Sequence, residues 1–199
     1  MPTAASALKA VAREAASCTR CSLYRNATQT VFGEGSARAS LMMVGEQPGD
    51  REDLEGHPFV GPAGKLLDRA MAEAGLDRRK VYLTNAVKHF KNEPRGKKRL
   101  HKRPNRYEVE VCRVWLKQEI SIVRPRLILA LGVTAAVVLA GRPVVLSSER
   151  GRPIELAEGQ RGMVTVHPSS ILRVPDQDAR HAAFAALVKD LEAAMAAIA

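Results

Sequence analysis

The sequence predicts a three-layer α/β/α sandwich with a central, mostly parallel, four-stranded sheet. Two observations predict it. Four short apolar runs have the length of buried strands, and segments with helical spacing of apolar residues separate them. Strands that alternate with helices form a parallel sheet with helices on both faces. The chain has 199 residues, 46% of them hydrophobic, which is enough for one core, so we expect a single domain over residues 1–199.

The individual strands and helices follow from local patterns. The predicted strands are residues 41–44, 81–85, 127–131 and 163–166. The predicted helices are residues 4–17, 65–74, 107–123, 134–139 and 177–198, and Gly75 suits the end of the second helix. Polar loops follow the first, second and fourth strands, and the carboxyl ends of parallel strands meet at one edge of a sheet. We therefore expect Glu46, Asn85 and His167 to lie close together.

Positive charge is concentrated after the second strand. The net charge is +10, and residues 88–106 contain nine cations against one acid, Glu93. This balance favours an anionic partner, and nucleic acid is the first candidate. His101 lies within the basic stretch 97–103, where an imidazole can be a general base, a phosphate contact or a nucleophile. A solvated basic loop is the alternative, and an aromatic content of 4% argues against a base-stacking platform of many rings.

The three cysteines, Cys18, Cys21 and Cys112, indicate a metal or redox site rather than disulfides. An odd number in a chain without a secretory signal pattern argues against a disulfide framework. The Cys-x-x-Cys pair suits a metal ion, an iron–sulfur cluster or a redox pair, although a thioredoxin-type pair would follow a strand. No run of about 18 apolar residues is present. We therefore expect no membrane helix, a cytoplasmic location and a monomer.

Five motifs, in order along the chain, resemble the iron–sulfur uracil-DNA glycosylases, often called family 4. They are Gly45-Glu46-Gln47-Pro48-Gly49, the segment 56–67 with Phe59, Thr84-Asn85-x-Val87-Lys88, the segment 124–132, and His167-Pro168-Ser169. The resemblance implies the uracil-DNA glycosylase fold and excision of uracil from DNA. Two departures resemble the UdgX branch of this superfamily, namely Gln47 where alanine is usual and an inserted basic loop with His101. That branch becomes covalently joined to uracil-containing single-stranded DNA through a loop histidine.

The resemblance also implies which residues would hold the substrate. Phe59 would stack on the uracil ring, and Asn85 would read its polar edge through the side-chain amide. The rest of the base pocket would come from Gly45, Gln47, Pro48, Gly49 and Ser169. Contacts to the DNA backbone would come from Lys98, Arg99, Lys102, Ser170 and Arg173.

Three side chains would carry the chemistry that the resemblance implies. His167 would donate a hydrogen bond to uracil O2 as negative charge develops on the leaving base. Glu46 would support the sugar cation or position a water molecule. His101 would capture the anomeric carbon of the sugar and so remain attached to the DNA.

A 4Fe–4S cluster is implied by the same resemblance. Such a cluster takes four protein ligands, and the chain has three cysteines. His89 stands where the family carries a cysteine, and an imidazole can replace a thiolate on one iron. The predicted ligands are therefore Cys18, Cys21, His89 and Cys112. A zinc site with the same ligands and a free cysteine pair are the alternatives.

We therefore predict a uracil-DNA glycosylase that prefers single-stranded DNA and becomes linked to the sugar through His101. Two alternatives stay open. The first is an ordinary family 4 glycosylase that hydrolyses the bond with turnover, and whose basic loop only binds DNA. The second is a non-catalytic iron–sulfur protein that binds nucleic acid without preference for uracil.

Overall fold

The fold is a mixed β-sheet between two layers of helices. The computed structural model describes residues 3–96 and 98–199. The strands are β1 (Glu34–Gly35), β2 (Leu41–Gly45), β3 (Tyr82–Asn85), β4 (Asn92–Arg95), β5 (Lys98–His101), β6 (Leu127–Leu131), β7 (Pro153–Glu155) and β8 (Arg161–Thr165). The main sheet has six strands in the order β1-β3-β2-β6-β8-β7, while β4 and β5 form a separate antiparallel hairpin.

The described residues also form eight α-helices. They are α1 (Ala4–Ala16), α2 (Asp50–Glu55), α3 (Pro62–Glu73), α4 (Arg106–Val123), α5 (Val133–Ala140), α6 (Leu146–Glu149), α7 (Pro168–Leu172) and α8 (Gln177–Ala196). The five predicted helices are confirmed, with ends that differ by a few residues. The sequence did not predict α2, α6 and α7, because segments of four to six residues are too short to show helical periodicity. In the described part of the chain, no helix has the length and apolar character needed to cross a membrane.

The four predicted strands form the parallel centre of the sheet. The pairs β2–β3, β2–β6 and β6–β8 are all parallel. The strands β1 and β7 add antiparallel edges, so the sheet has six strands and not four. Both edge strands were missed because they are only two and three residues long. Pro153 in β7 has no N–H to donate, which restricts it to an edge.

Alternate residues of the central strands face opposite helical layers, so both faces of the sheet are buried. In β2, Leu41 and Met43 pack in one cluster with α3 and α8. Met42 and Val44 pack in the other cluster with α4 and α5. Burial on both faces explains why the strands read as continuous apolar runs. The predicted three-layer α/β/α sandwich is therefore confirmed.

Helix α4 brings a set of polar side chains into the core. It begins at a capping box, in which Asn105 Oδ1 accepts from the Glu108 N–H at 2.9 Å and Glu108 Oε2 accepts from the Asn105 N–H at 2.7 Å. Its buried residues include Glu108, Cys112 and Glu119. Their spacing of four and seven residues places these three side chains on one face of the helix. That face is turned toward the segment that follows β3, as its contacts below show.

Much of the predicted basic loop is a β-hairpin. Asn92 of β4 pairs with His101 of β5, and Arg95 pairs with Lys98. Gly96 in the turn has φ of 59°, a left-handed conformation that favours glycine. Lys97, the next residue, lies outside the described ranges. The hairpin was not predicted because its strands have mainly polar side chains and lack the apolar alternation of a half-buried strand.

Candidate active site

A cavity of about 700 Å³ opens at the carboxyl-terminal edge of the parallel sheet. Its walls come largely from the loops after β2, β3, β6 and β8, which is where ligands bind in open α/β sheets. Ten residues predicted for the site line this cavity. They are Glu46, Gln47, Gly49, Phe59, Asn85, His101, His167, Ser169, Ser170 and Arg173.

Five predicted site residues are not in the cavity lining, namely Gly45, Pro48, Lys98, Arg99 and Lys102. Two of these cations are paired with acids. Arg99 Nε lies 2.7 Å from Asp50 Oδ1 and its Nη1 lies 2.5 Å from Asp53 Oδ2, which fastens the hairpin to α2. Lys102 Nζ lies 2.6 Å from Glu93 Oε2. The structure thus joins both side chains to acidic partners of the protein itself.

Gly45 is required where the strand β2 meets the cavity. A Cβ atom at this position would lie 2.4 Å from Asn85 Oδ1 and 2.8 Å from Phe59 Cζ. Both distances are shorter than a carbon atom allows without a shift of its neighbours. Glycine therefore leaves the space in which the amide and the aromatic ring come together.

Asn85 is a buried residue with an unused hydrogen-bond acceptor. It ends β3 and is 3% exposed. Its Oδ1 has no hydrogen-bond partner among the residues that the structure describes. A buried acceptor left unpaired costs about 1–3 kcal/mol. A ligand that donates a hydrogen bond to this oxygen would remove that cost.

Phe59 is held in a strained backbone conformation. Its φ is 56°, a region that costs a residue other than glycine on the order of 1–3 kcal/mol. Glu52 Oε1 accepts from the next two N–H groups at 3.0 and 2.8 Å, and Arg78 donates to the preceding carbonyl at 3.0 Å. Gly64 makes room, since a Cβ there would lie 1.9 Å from Phe59 O. These contacts place the ring centroid 6.3 Å from that of His167.

His167 is a neutral hydrogen-bond donor at physiological pH. Its Nδ1 accepts from the Ser169 N–H at 3.2 Å and lies 2.8 Å from the Ser169 hydroxyl. Because a backbone N–H can only donate, the proton of the neutral ring is on Nε2. Burial lowers the pKa of His167 to about 4, with the Glu46 carboxylate opposing the shift and Arg173 adding to it. The ring therefore offers its Nε2–H as a donor.

We expect acid to destabilise the protein through His167. An unfolded histidine has a pKa of about 6.5, whereas the pKa of folded His167 is about 4. The unfolded chain binds more protons between these values, so the contribution is fully present above about pH 6.5 and is lost as the pH falls toward 4. Thermal unfolding midpoints measured between pH 7 and pH 4 should fall more steeply for the wild type than for His167→Gln. Parallel slopes would contradict this assignment.

Gln47 joins the loop after β2 to the base of the hairpin. Its Oε1 accepts from the Lys91 N–H at 2.8 Å, and its Nε2 donates to the Lys102 carbonyl at 2.7 Å. These backbone partners define the orientation of the amide. Its Nε2 also lies 2.8 Å from His101 Nε2, which must therefore accept and carry no proton. Gln47 thus determines which nitrogen of His101 has the lone pair.

His101 lies at the mouth of the cavity, with its side chain 54% exposed. Partial burial lowers the pKa of the ring; the Glu46 carboxylate opposes this shift, while Arg173 and Arg103 add to it. His101 Nε2 is 3.9 Å from Glu46 Oε1. A neutral imidazole beside a carboxylate can act as a nucleophile or as a base.

Cys21 and Cys112 are buried in one cluster between α1 and α4, and the partly buried Cys18 packs against it. The Trp115 indole N–H donates to Cys18 Sγ at 3.3 Å, and the Lys88 backbone N–H donates to Cys112 Sγ at 3.2 Å. Hydrogen bonds of this kind are typical of thiolates that bind iron–sulfur clusters. Burial raises the pKa of Cys21 and raises the pKa of Cys112 to about 11.

His89, the fourth predicted ligand, is buried directly after Lys88. Within residues 3–96 and 98–199, no group of three or more His, Cys, Asp or Glu side chains is arranged to hold a single metal ion. The three thiols and their N–H donors fit a cluster ligand set in their chemistry. Of His89, the structure shows that its side chain is buried and that it follows Lys88 in the chain.

Sequence reasoning missed two residues that support the site, Glu52 and Arg78, and assigned no partner to Asp53. Glu52 and Arg78 hold Phe59, while the buried Asp53 carboxylate binds Arg99 and accepts from the Thr28 N–H at 3.0 Å. The acids that follow Gly49 could have indicated a helix N-terminus, where negative charge is favourable. Nothing in their spacing indicated which of them points inward.

The chain is similar to known proteins along most of its length. The sequence profile of the Uracil DNA glycosylase superfamily matches residues 32–192. A type-4 uracil-DNA glycosylase of Thermotoga maritima is 37% identical over 167 residues, which covers 83% of each chain. A type-4 uracil-DNA glycosylase of Pyrobaculum aerophilum is 38% identical over 165 residues, or 79% of this chain and 81% of the relative.

A type-5 uracil-DNA glycosylase of Pyrobaculum aerophilum is also similar, at 33% identity over 154 residues, or 69% of this chain and 64% of the relative. The matched region contains the sheet and the loops that line the cavity. The chain belongs to the uracil DNA glycosylase superfamily.

Proposed function

We propose that this protein is a uracil-DNA glycosylase, which cleaves the N-glycosidic bond between uracil and deoxyribose. One observation carries the proposal. The unpaired Oδ1 of Asn85 lies in the wall of a cavity that also contains Phe59 and a neutral His167. The type-4 names of the similar proteins support the same activity.

The three side chains complement three features of uracil. Asn85 Oδ1 accepts from the uracil N3–H, and its amide N–H donates to O4. Cytosine has no proton on N3 and carries an amino group at position 4. Its N3 acceptor would therefore face the Oδ1 acceptor of Asn85, and its amino group would face the amide N–H donor. Phe59 offers a ring face for stacking on the base.

His167 and Glu46 would stabilise the two charges that develop during cleavage. The departing uracil carries negative charge, and the Nε2–H of His167 can donate to O2. The sugar becomes an oxocarbenium-like cation, which a carboxylate stabilises. Glu46 is the acid that lies in the cavity wall beside His101.

Hydrolysis with turnover is the outcome that the comparisons favour, since the similar proteins are named type-4 glycosylases. In this mechanism Glu46 positions a water molecule on C1′ of the sugar. The water oxygen forms the new bond to C1′, and its proton passes by way of Glu46 to solvent. The electron pair of the broken bond leaves with uracil.

Covalent capture by His101 is a second candidate, and one observation favours it. The unprotonated Nε2 of His101 lies at the cavity mouth, 2.8 Å from Gln47 and 3.9 Å from Glu46. This nitrogen would leave the Gln47 amide and bond to C1′ as the bond to uracil breaks. Loss of the Nδ1 proton to solvent then gives a neutral alkylated imidazole, which is a poor leaving group. Gln47 and the hairpin, the two features that resemble the UdgX branch, support this candidate.

Single-stranded DNA is the substrate form that we propose. Removing a base from its stack costs several kcal/mol less when the strand is already unpaired. Arg103 and Arg173 line the cavity and supply positive charge for the phosphates beside the uracil. We propose that the active protein is a monomer.

A 4Fe–4S cluster held by Cys18, Cys21, His89 and Cys112 is part of the proposal. The shared cluster of the three thiols and the N–H donors on two of the sulfurs support it. Its contribution would be structural, since it would tie the N-terminal segment to α4. Iron analysis of the purified protein distinguishes it from the zinc alternative.

The test incubates the protein with excess single-stranded oligonucleotide that contains one uracil. We expect free uracil to appear, and more than one equivalent per protein would indicate hydrolytic turnover. A band that survives heat and detergent on a denaturing gel, with release limited to one equivalent, would indicate capture. Binding without uracil release, equal for a uracil-free oligonucleotide, would contradict the proposal and favour a non-catalytic nucleic-acid-binding protein.

A further inference from the structure

Lys88 is a fully buried lysine whose ammonium group has three partners. Its side chain is 0% exposed. Nζ donates to Glu119 Oε2 at 2.5 Å, to Thr84 Oγ1 at 2.6 Å and to the backbone carbonyl of Asn85 at 2.8 Å. An ammonium group has three protons, so every donor is used. One of the three acceptors belongs to the residue that we propose reads the base.

Glu119 is the counter-ion of Lys88 and comes from helix α4. Its Oε1 accepts from the Gly33 N–H at 2.9 Å, from the Tyr82 hydroxyl at 3.1 Å and from the Thr84 hydroxyl at 2.9 Å. Its side chain is as deeply buried as that of Lys88. The pair therefore connects α4 to the strand β3 and to the carbonyl of its last residue.

The peptide group between Asn85 and Ala86 is held at both ends. Its carbonyl accepts from Lys88 Nζ, and its N–H donates to the Gly45 carbonyl of β2 at 2.9 Å. The orientation of this peptide group sets the direction in which the Asn85 side chain leaves the backbone. A small rotation of the peptide would move Oδ1 relative to Phe59, because both groups lie against Gly45.

We propose that Lys88 and Glu119 are positioning residues that hold the Asn85–Ala86 peptide and so direct Asn85 Oδ1 at the base. The inference rests on the proposed function, because that function assigns base reading to Asn85. Stability alone does not explain the pair, since apolar residues often replace a buried ion pair without loss of stability. One of its hydrogen bonds, from Lys88 Nζ to the Asn85 carbonyl, ends on the peptide group that orients the Asn85 side chain.

The test removes both charges in the variant Lys88→Met/Glu119→Gln. The two replacements nearly preserve side-chain volume and leave no unpaired buried charge, so the protein should fold. We expect the single-turnover rate of uracil release to fall roughly 100-fold, as for a displacement of about 1 Å in an active site. The control Lys117→Met/Glu158→Gln removes an exposed ion pair, also 2.5 Å apart, whose lysine is on the same helix as Glu119, and should keep the wild-type rate.

The same substitutions in an Asn85→Ala background show whether the pair acts through Asn85. If the pair acts through Asn85, the Lys88 and Glu119 substitutions lower the rate of uracil release no further once the Asn85 amide has been removed. A purely structural defect lowers the rate by the same factor in both backgrounds. That additive result, or a wild-type rate in the Lys88 and Glu119 variant, would overturn the proposal.

A measurement on the protein without substrate separates this inference from the proposed function. If the wild type releases no uracil, the proposed function fails, yet the ¹H–¹⁵N resonance of the Asn85 side-chain amide still reports its position. The Lys88 and Glu119 substitutions should shift this resonance, and the Lys117 and Glu158 substitutions should not. A resonance that does not move in the first variant overturns the positioning role.

Discussion

Replacing Asn85 by alanine should lower the rate of uracil release about 100- to 1000-fold, the range seen when one oriented hydrogen-bonding group is removed from an active site. The amide is the group that can pair with both N3–H and O4 of the base. The midpoint of thermal unfolding should not fall, because Oδ1 has no partner to lose within the described structure and the cost of its burial disappears with it. Single-turnover kinetics and thermal unfolding on the same preparation check both statements.

Asn92 provides a matched control for Asn85. It is also a buried asparagine whose Oδ1 has no partner in the described ranges, but it is not in the cavity lining. Its amide group donates to the carbonyls of Asn26 and Phe90 at 3.0 and 3.1 Å. Asn92→Ala should therefore lower stability and release uracil at a rate much closer to the wild type. Equal rates for the Asn85 and Asn92 variants would remove Asn85 from base reading.

Replacing His101 by serine has the largest expected effect on the fate of the DNA. If His101 captures the sugar, His101→Ser should form no adduct that survives heat and detergent. Uracil release should persist, because Asn85, Phe59 and His167 remain in place and water can reach C1′. Denaturing electrophoresis for the adduct and chromatography for free uracil measure the two results separately.

His181→Ser is the control for the His101 substitution, because His181 is an exposed histidine on α8 away from the cavity lining. This variant should behave as the wild type in both assays. A wild type that forms no adduct would leave hydrolysis as the function. An adduct that persists in His101→Ser would assign the attachment to another nucleophile. Loss of uracil release in that variant would show that His101 is also needed to break the glycosidic bond.

The central strands and the convergence of the site residues could be predicted from the sequence, since both depend on local signals. Residues 41–44 and 127–131 are apolar throughout, and burial on both faces of a parallel sheet produces that pattern. Glu46 and His167 follow central strands and Asn85 ends one, so one topological rule brings them to the same edge.

The supporting contacts could not be predicted, because each depends on distant partners. Glu119 is 31 residues from Lys88, and nothing in the local pattern of α4 identifies it as a counter-ion. The φ of 56° at Phe59 is imposed by Glu52, Arg78 and Gly64 and contradicts the usual preference of an aromatic residue. The ion pairs of Arg99 likewise depend on acids in α2, which lie 46 and 49 positions away along the chain.

The contacts of Gln47 also bear on which parts of the site can change independently. Without the hairpin and the two residues at its base, the buried Gln47 amide would lose the Lys91 N–H, the Lys102 carbonyl and the His101 ring. Without Gln47, the Lys91 N–H and the Lys102 carbonyl would lose theirs. Either change alone leaves buried polar groups unsatisfied. The glutamine and the hairpin are therefore mutually dependent parts of the site, and an engineered change to one requires a matching change to the other.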